Sequence, residues 1–214
     1  MLDKKYLEIF PLQFISHQNE RFSYEEGCLK ALEGGCRWIQ LRMKDAQEDE
    51  IAHIAERLIP VVKEYDGVLI IDDHVELCKK INAHGVHIGK NDMPPAEARQ
   101  ILGEQFIIGG TCNTYEDILK IHSFVDYIGC GPFRYTTTKK NLAPVLGLDG
   151  YREIIWNCRS NDINTPIVAI GGITESDILE IMNAGPNGIA LSGEILNAED
   201  PVSKTRKLTS LLGF

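Results

Sequence analysis

Eight short apolar runs, each followed by a stretch with helical spacing, are what most limits the folds open to this chain. The runs are Leu7–Ile15, Arg37–Leu41, Val68–Ile71, Val86–Ile88, Phe106–Ile108, Tyr127–Ile128, Ile167–Ile170 and Gly188–Leu191. They are rich in β-branched residues and almost continuously hydrophobic. Parallel strands buried on both faces read this way, whereas a sheet with one wet face alternates. Between the runs, Ile51, Ile54, Ala55, Leu58 and Ile59 recur at helical spacing, as do Ile178, Ile181 and Met182. Helix starts are written in as well. Ser23-Tyr24-Glu25-Glu26 is a capping box, and Thr114 to Asp117 and Thr174 to Asp177 have the looser form ending in aspartate. Eight strand–helix alternations in 214 residues predict a single (β/α)8 TIM barrel spanning 1–214, in preference to an open doubly wound sheet. No Gly/Ser linker or charge block divides the chain.

Composition narrows the partners. A net charge of −9 is the wrong sign for general nucleic-acid binding, so any anion must be held by a local basic patch. No apolar run approaches the ~18 residues of a membrane span, and MLDKKYLEIF lacks the apolar core of a secretory signal. The six cysteines have neither C-x-x-C pairing nor zinc-finger spacing, so reduced, buried thiols and a cytoplasmic address are expected.

A barrel of this kind keeps its chemistry at the C-terminal ends of its strands. That rule selects Gln40, Arg42 and Lys44 after the second run, Asp72 and Asp73 after the third, and Asn91 and Asp92 after the fourth. It continues with Thr111, then Thr136 to Lys139, then Gly171-Gly172, then Ser192-Gly193. In IQLRMK, a period of two puts Gln40, Arg42 and Lys44 on one side and Leu41 and Met43 on the other. Two cations and an amide aimed together suit an oligophosphate, although a salt-bridged strand end reads the same. Asp73 and Asp92 on neighbouring strand ends could share Mg²⁺, which takes one or two carboxylates and keeps waters and phosphates; each could equally cap a helix. Thr136, Thr137 and Thr138 followed by Lys139 offer hydroxyls and a point charge to an anion, or form a plain polar loop. Gly171-Gly172 and Ser192-Gly193 occupy the usual phosphate position of such barrels, where bare amides receive the anion.

Two anion pockets of different construction are therefore expected, one charged and metallated, the other a neutral nest. The six histidines show no H-E-x-x-H spacing, and no nucleophile elbow is present. His87 falls mid-strand as a barrel residue, and Cys112 and Cys130 are expected as packing thiols.

QLRMK, DDHVEL, GVHIGKNDMP, IGGTCNT, DYIGCGPFRYTTTKK, PIVAIGGI and GIALSGEI, in that order, resemble the thiamine-phosphate synthase (thiamine-phosphate pyrophosphorylase) family along nearly the whole chain. The resemblance implies an enzyme that joins 4-amino-2-methyl-5-(diphosphooxymethyl)pyrimidine to a thiazole phosphate, giving thiamine phosphate and pyrophosphate. It implies pyrimidine-diphosphate contacts at Gln40, Leu41, Arg42, Met43, Lys44, Asp72, Thr111 and Lys139, and Mg²⁺ ligands at Asp73 and Asp92. It further implies thiazole-phosphate contacts at Thr136, Thr137, Thr138, Gly172, Ser192 and Gly193, with Arg42, Lys44 and Lys139 as the catalytic cations. Small molecules, not nucleic acids or membranes, are then the partners.

Three positions depart from the family: Asp72 where it usually has Asn, Thr111 where it has Ser, and Tyr135 where it has Pro. Ser192-Gly193 also differs, in a way that leaves backbone contacts intact. An anion at Asp72 beside a polyanionic substrate requires a compensating cation or proton. Two rival readings remain, a thiazole tautomerase of the same superfamily and a non-catalytic sensor of thiamine phosphate. The tautomerase has no use for Arg42, Lys44 and the threonine loop together; Asp72 is the feature that leans towards the sensor.

Overall fold

In the computed structural model, which describes residues 10–135 and 144–213, eight parallel strands close into one barrel in sequence order. They are β1 (Leu12–Ile15), β2 (Trp38–Leu41), β3 (Val68–Asp72), β4 (Gly85–Ile88), β5 (Ile107–Cys112), β6 (Tyr127–Cys130), β7 (Ile167–Ile170) and β8 (Gly188–Leu191). Closure is made by β8 against β1, with Leu12 opposite Ile189 and Phe14 opposite Leu191. Helices follow each strand: α1 (Tyr24–Glu33), α2 (Glu48–Glu64), α3 (Val75–Lys80), α4 (Pro95–Leu102), α5 (Tyr115–Ile121), α6 (Gly147–Ser160), α7 (Ile178–Ala184) and α8 (Gly193–Leu196), with α9 (Pro201–Leu211) completing the ring.

The helix starts form as the sequence predicts. Ser23 and Glu26 make a reciprocal capping box, and so do Thr114 and Asp117. Thr174 and Asp177 make a third, which opens a 3-10 turn, Glu175–Asp177, leading into α7. Along α2, Ile51, Ala55, Leu58 and Val62 are buried, the one-sided stripe that fixes a helix on a sheet.

Two strands, β1 and β5, depart furthest from expectation. β1 starts at Leu12; Phe10 and Pro11 precede the ladder, and proline has no N–H to contribute to it. β5 runs on through Gly109, Gly110, Thr111 and Cys112, where Gly-Gly alone signals a turn. The reason lies on the neighbouring strand, where Tyr127 is the direct partner of Gly109. A Cβ at Gly109 would stand 2.1 Å from the Tyr127 ring, so the missing side chain is what lets that ring lie inside.

Side chains divide into two layers. Leu41, Leu69, Ile71, Val86, Ile108 and Ile128 point outward against helix residues such as Ala31, Ala55, Leu58, Ile118 and Ile181. Trp38, Ile70, Ile107, Tyr127 and Val168 fill the interior, where Trp38 and Tyr127 meet edge-to-face at 4.7 Å. The barrel interior is thus filled by side chains and is not a pore. All six cysteines are free and buried. Burial pushes the Cys130 thiol up to about 12 and Cys112 higher still, which suits packing and not nucleophilic attack. Among the described residues, no helix is long and apolar enough to cross a membrane.

Candidate active site

The rim gathers the charged residues that sequence selects from β2, β3 and β4. Gln40 lies within β2 with its side chain buried in the mouth. The Arg42 backbone is pinned from β1's loop, its N–H donating to Ser16 Oγ at 2.9 Å. Leu41 and Met43 turn the other way into the layer beneath the helices, 1% and 3% exposed, so only their backbones can meet a ligand.

Asp72, the last residue of β3, is nearly enclosed by donors. Gln40 Nε2 donates to its Oδ1 at 2.5 Å; Arg42 Nε and Lys44 Nζ stand 3.4 and 3.5 Å from its Oδ2. Burial and the neighbouring Asp73 nonetheless push its carboxyl up to about 6, against the pull of Lys44, Arg42 and Gln40. Asp73 follows in the left-handed region at φ 65°, a conformation aspartate tolerates but seldom adopts. That turn swings its carboxylate onto Lys44 Nζ, with which it forms a short ion pair. Burial works to raise the Asp73 carboxyl, but Lys44 and a hydrogen bond with Asp92 hold it below the ordinary range. Asp92 moves the other way, raised by burial, by that hydrogen bond and by the Asp73 charge. Burial also opposes the Lys44 charge, but the two aspartates outweigh it and raise the ammonium's pKa.

Two carboxyl groups that meet in this way share a proton unless a cation replaces it. Among the described residues no cluster of three or more His, Cys, Asp or Glu forms a metal cage. Mg²⁺ asks for less, one or two carboxylates with waters and phosphate oxygens, so the donor set of Asp73 and Asp92 fits it.

Behind this cluster a chain of hydrogen bonds climbs the barrel interior. Gln13 Nε2 donates to Tyr127 Oη at 3.2 Å, Tyr127 Oη meets His87 Nδ1 at 3.0 Å, and His87 Nε2 meets Thr111 Oγ1 at 2.9 Å. His87 is therefore a satisfied barrel residue whose outer nitrogen fixes a hydroxyl at the rim. Gln40 is less well served, since its buried Oε1 finds no partner among the described residues.

The opposite side of the rim is built from β6, β7 and β8. Gly171 and Gly172, at φ 100° and 68°, lie in the region that favours glycine. Ser192 and Gly193 start α8, and Ser192 Oγ is 2.7 Å from His17 Nδ1. Burial, and then the Arg42 charge, lower the His17 pKa and favour its neutral form. Thr136, Thr137, Thr138 and Lys139 lie outside the described residues. His17 escapes a sequence reading because its partner is 175 positions away. Arg134 and Asp177 form a bidentate ion pair, with distances of 2.6 and 2.8 Å, that no local motif announces.

The family model described as thiamine monophosphate synthase matches residues 12–195. The thiamine-phosphate synthase of Bacteroides thetaiotaomicron is 57% identical over 201 residues, covering 94% of this chain and 96% of that protein. That of Phocaeicola vulgatus is 59% identical over 202 residues, covering 94% and 97%. Among solved structures, the thiamine phosphate pyrophosphorylase of Pyrococcus furiosus superposes with a TM-score of 0.82 at 31% identity, covering 96% of this chain and 98% of that one.

Proposed function

The chain belongs to the thiamine monophosphate synthase family, and from that premise we propose that its rim condenses a pyrimidine methyl diphosphate with a thiazole phosphate to give thiamine phosphate and pyrophosphate. One observation carries the assignment of residues. Arg42, Lys44, Asp72, Asp73 and Asp92, from three adjacent strand ends, converge on the same corner of the mouth. Such a corner is made for a polyanion that arrives with a divalent cation.

Arg42 and Lys44, joined by Lys139, bind the diphosphate and stabilise the negative charge that grows as its carbon–oxygen bond breaks. The bonding electrons leave with pyrophosphate. The aminopyrimidine carries the positive methylene, and the thiazole nitrogen's lone pair forms the new carbon–nitrogen bond. The orphaned Oε1 of Gln40 is an acceptor suited to the N–H donors of an aminopyrimidine. Thr111, held by His87, offers a hydroxyl to the diphosphate. Asp73 and Asp92 would hold Mg²⁺, which supplies further charge neutralisation to the leaving group. The amides of Gly172 and Gly193, with Thr136 to Thr138, receive the thiazole ester's phosphate. The enzyme works by electrostatics and by orientation, in the cytoplasm on charged small molecules.

Asp72 does not favour the sensor reading once its neighbours are considered, since two cations and Gln40 surround it. The test is to incubate purified protein with both substrates and Mg²⁺ and follow pyrophosphate and thiamine phosphate. Both products should appear together and neither should form when one substrate is left out. Release of neither product, with both substrates bound, would establish a sensor instead.

A further inference from the structure

We infer that Arg134, through its pairing with Asp177, is a positioning residue that shapes the Gly171–Ile173 backbone into the phosphate nest. This rests on the reading of that side of the rim as the thiazole-phosphate pocket. Three successive carbonyls, from the last residue of β7 onward, are all gripped by the segment after β6. Phe133 N–H donates to Ile170 O at 2.9 Å, Arg134 N–H to Gly171 O at 3.0 Å, and Arg134 Nη1 to Gly172 O at 3.0 Å. In a trans peptide the C=O and the next N–H point in opposite directions. Holding the carbonyls of Gly171 and Gly172 towards Arg134 therefore turns the N–H groups of Gly172 and Ile173 away from it, side by side. Consecutive amides aimed together make an anion-binding concavity. Neither amide finds an acceptor among the described residues, whereas the next, Thr174 N–H, is taken by Asp177 Oδ2 at 2.8 Å.

The guanidinium cannot hold this pose by itself. Asp177 fixes it with two charge-assisted bonds, 2.6 Å from Nη1 and 2.8 Å from Nη2, and the plane lies over the Phe133 ring at 4.8 Å. Asp177 is in turn oriented by the Thr174 hydroxyl at 2.7 Å. The approach is close enough that a Cβ on Gly172 would meet Arg134 Cγ at 2.6 Å. The Arg134 side chain is 46% exposed, and exposed ion pairs add little to stability. What the pair supplies is direction.

Wild type, Arg134→Ala, Arg134→Lys and Asp177→Asn are compared in three measurements: KM for each substrate separately, the melting temperature, and the ¹⁵N amide signals of Gly172 and Ile173 as inorganic phosphate is added. In the wild type both amides shift on phosphate addition. In Arg134→Ala and Asp177→Asn, KM for the thiazole phosphate rises about tenfold, the size of one bond to a charged group lost, while KM for the pyrimidine diphosphate holds. Arg134→Lys, a point charge in place of a fork, falls between. Arg134→Ala and Arg134→Lys melt close to wild type, while Asp177→Asn, which also weakens the Thr174 cap, melts somewhat lower. An Asp177→Asn variant that binds phosphate as well as wild type or better would show that Arg134 acts as a direct charge, and would overturn the inference. So would equal changes in both KM values, or wild-type amides that ignore phosphate. If the wild type forms no thiamine phosphate, the activity falls as a reading, but the amide titration still decides what Arg134 does.

Discussion

Asp73 and Asp92, delivered by the loops after β3 and β4, bring their carboxyl groups together beside Gly89 at the barrel rim, where each perturbs the other's titration. Like charges at this distance are tolerated only with a proton or a cation between them. Asp92→Asn removes the repulsion together with one of the two ligands proposed for Mg²⁺. It should fold at least as well as wild type and need on the order of tenfold or more Mg²⁺ for half-maximal rate, in line with losses at other ligand positions. A Mg²⁺ titration that superimposes on the wild-type curve would remove Asp92 from the site.

Asp72 gives a prediction about pH. Its carboxyl sits at about 6 in the folded protein, above its ordinary 3.8. The ionised form is therefore disfavoured by folding, and the wild type carries that penalty above pH 6. The penalty fades as pH falls from 6 towards 3.8, where the acid is neutral in both states. Asp72→Asn cannot ionise, so it should be the more stable protein at pH 8, by up to roughly 3 kcal/mol for a displacement of this size. The advantage should shrink towards zero near pH 4. Urea melts at the two pH values measure it, and an advantage that grows on acidification would reverse the sign assigned here.

Lys139 tests the cationic arm of the reaction. If Lys139 acts as proposed, Lys139→Ala deletes a charge that stabilises pyrophosphate as it departs, so it should lower kcat by on the order of a hundredfold and leave the melting temperature alone. A rate of thiamine phosphate formation near that of wild type would assign the leaving-group role to Arg42 and Lys44 without it.

Most of the barrel was legible because parallel strands buried on both faces must be continuously apolar, and Ile167–Ile170 and Gly188–Leu191 match their strands end to end. The charged corner was legible for a related reason, since Arg42, Asp73 and Asp92 each come within four residues of the end of a recognisable run. Hidden from sequence were contacts made across the rim. His17 reaches Ser192 where β8 closes on β1, while Arg134 reaches Asp177 and Gly172 and His87 reaches Thr111 between neighbouring strands, each joining residues far apart in the chain. Gly109 lies beyond the run read as Phe106–Ile108, yet it belongs to β5, where its lack of a side chain makes room for the Tyr127 ring.

That last contact separates packing from hydrogen bonding inside the barrel. Gly109→Ala puts a methyl group 2.1 Å from a ring carbon of Tyr127, on a strand paired on both sides. The ring cannot retreat easily, because Trp38 packs on it and its hydroxyl is bonded to Gln13 and His87. Overpacking of this kind costs typically about 1–3 kcal/mol. Tyr127→Phe keeps the ring and deletes the hydroxyl, leaving Gln13 and His87 each short of a buried partner, at about 1–3 kcal/mol. The two variants should therefore lose similar stability in a thermal melt yet part in function. Tyr127→Phe frees the His87 ring that holds Thr111, so KM for the pyrimidine diphosphate should rise while KM for the thiazole phosphate stays put. If Tyr127→Phe leaves both KM values at wild type, the interior chain of hydrogen bonds supports the barrel without orienting the Thr111 hydroxyl.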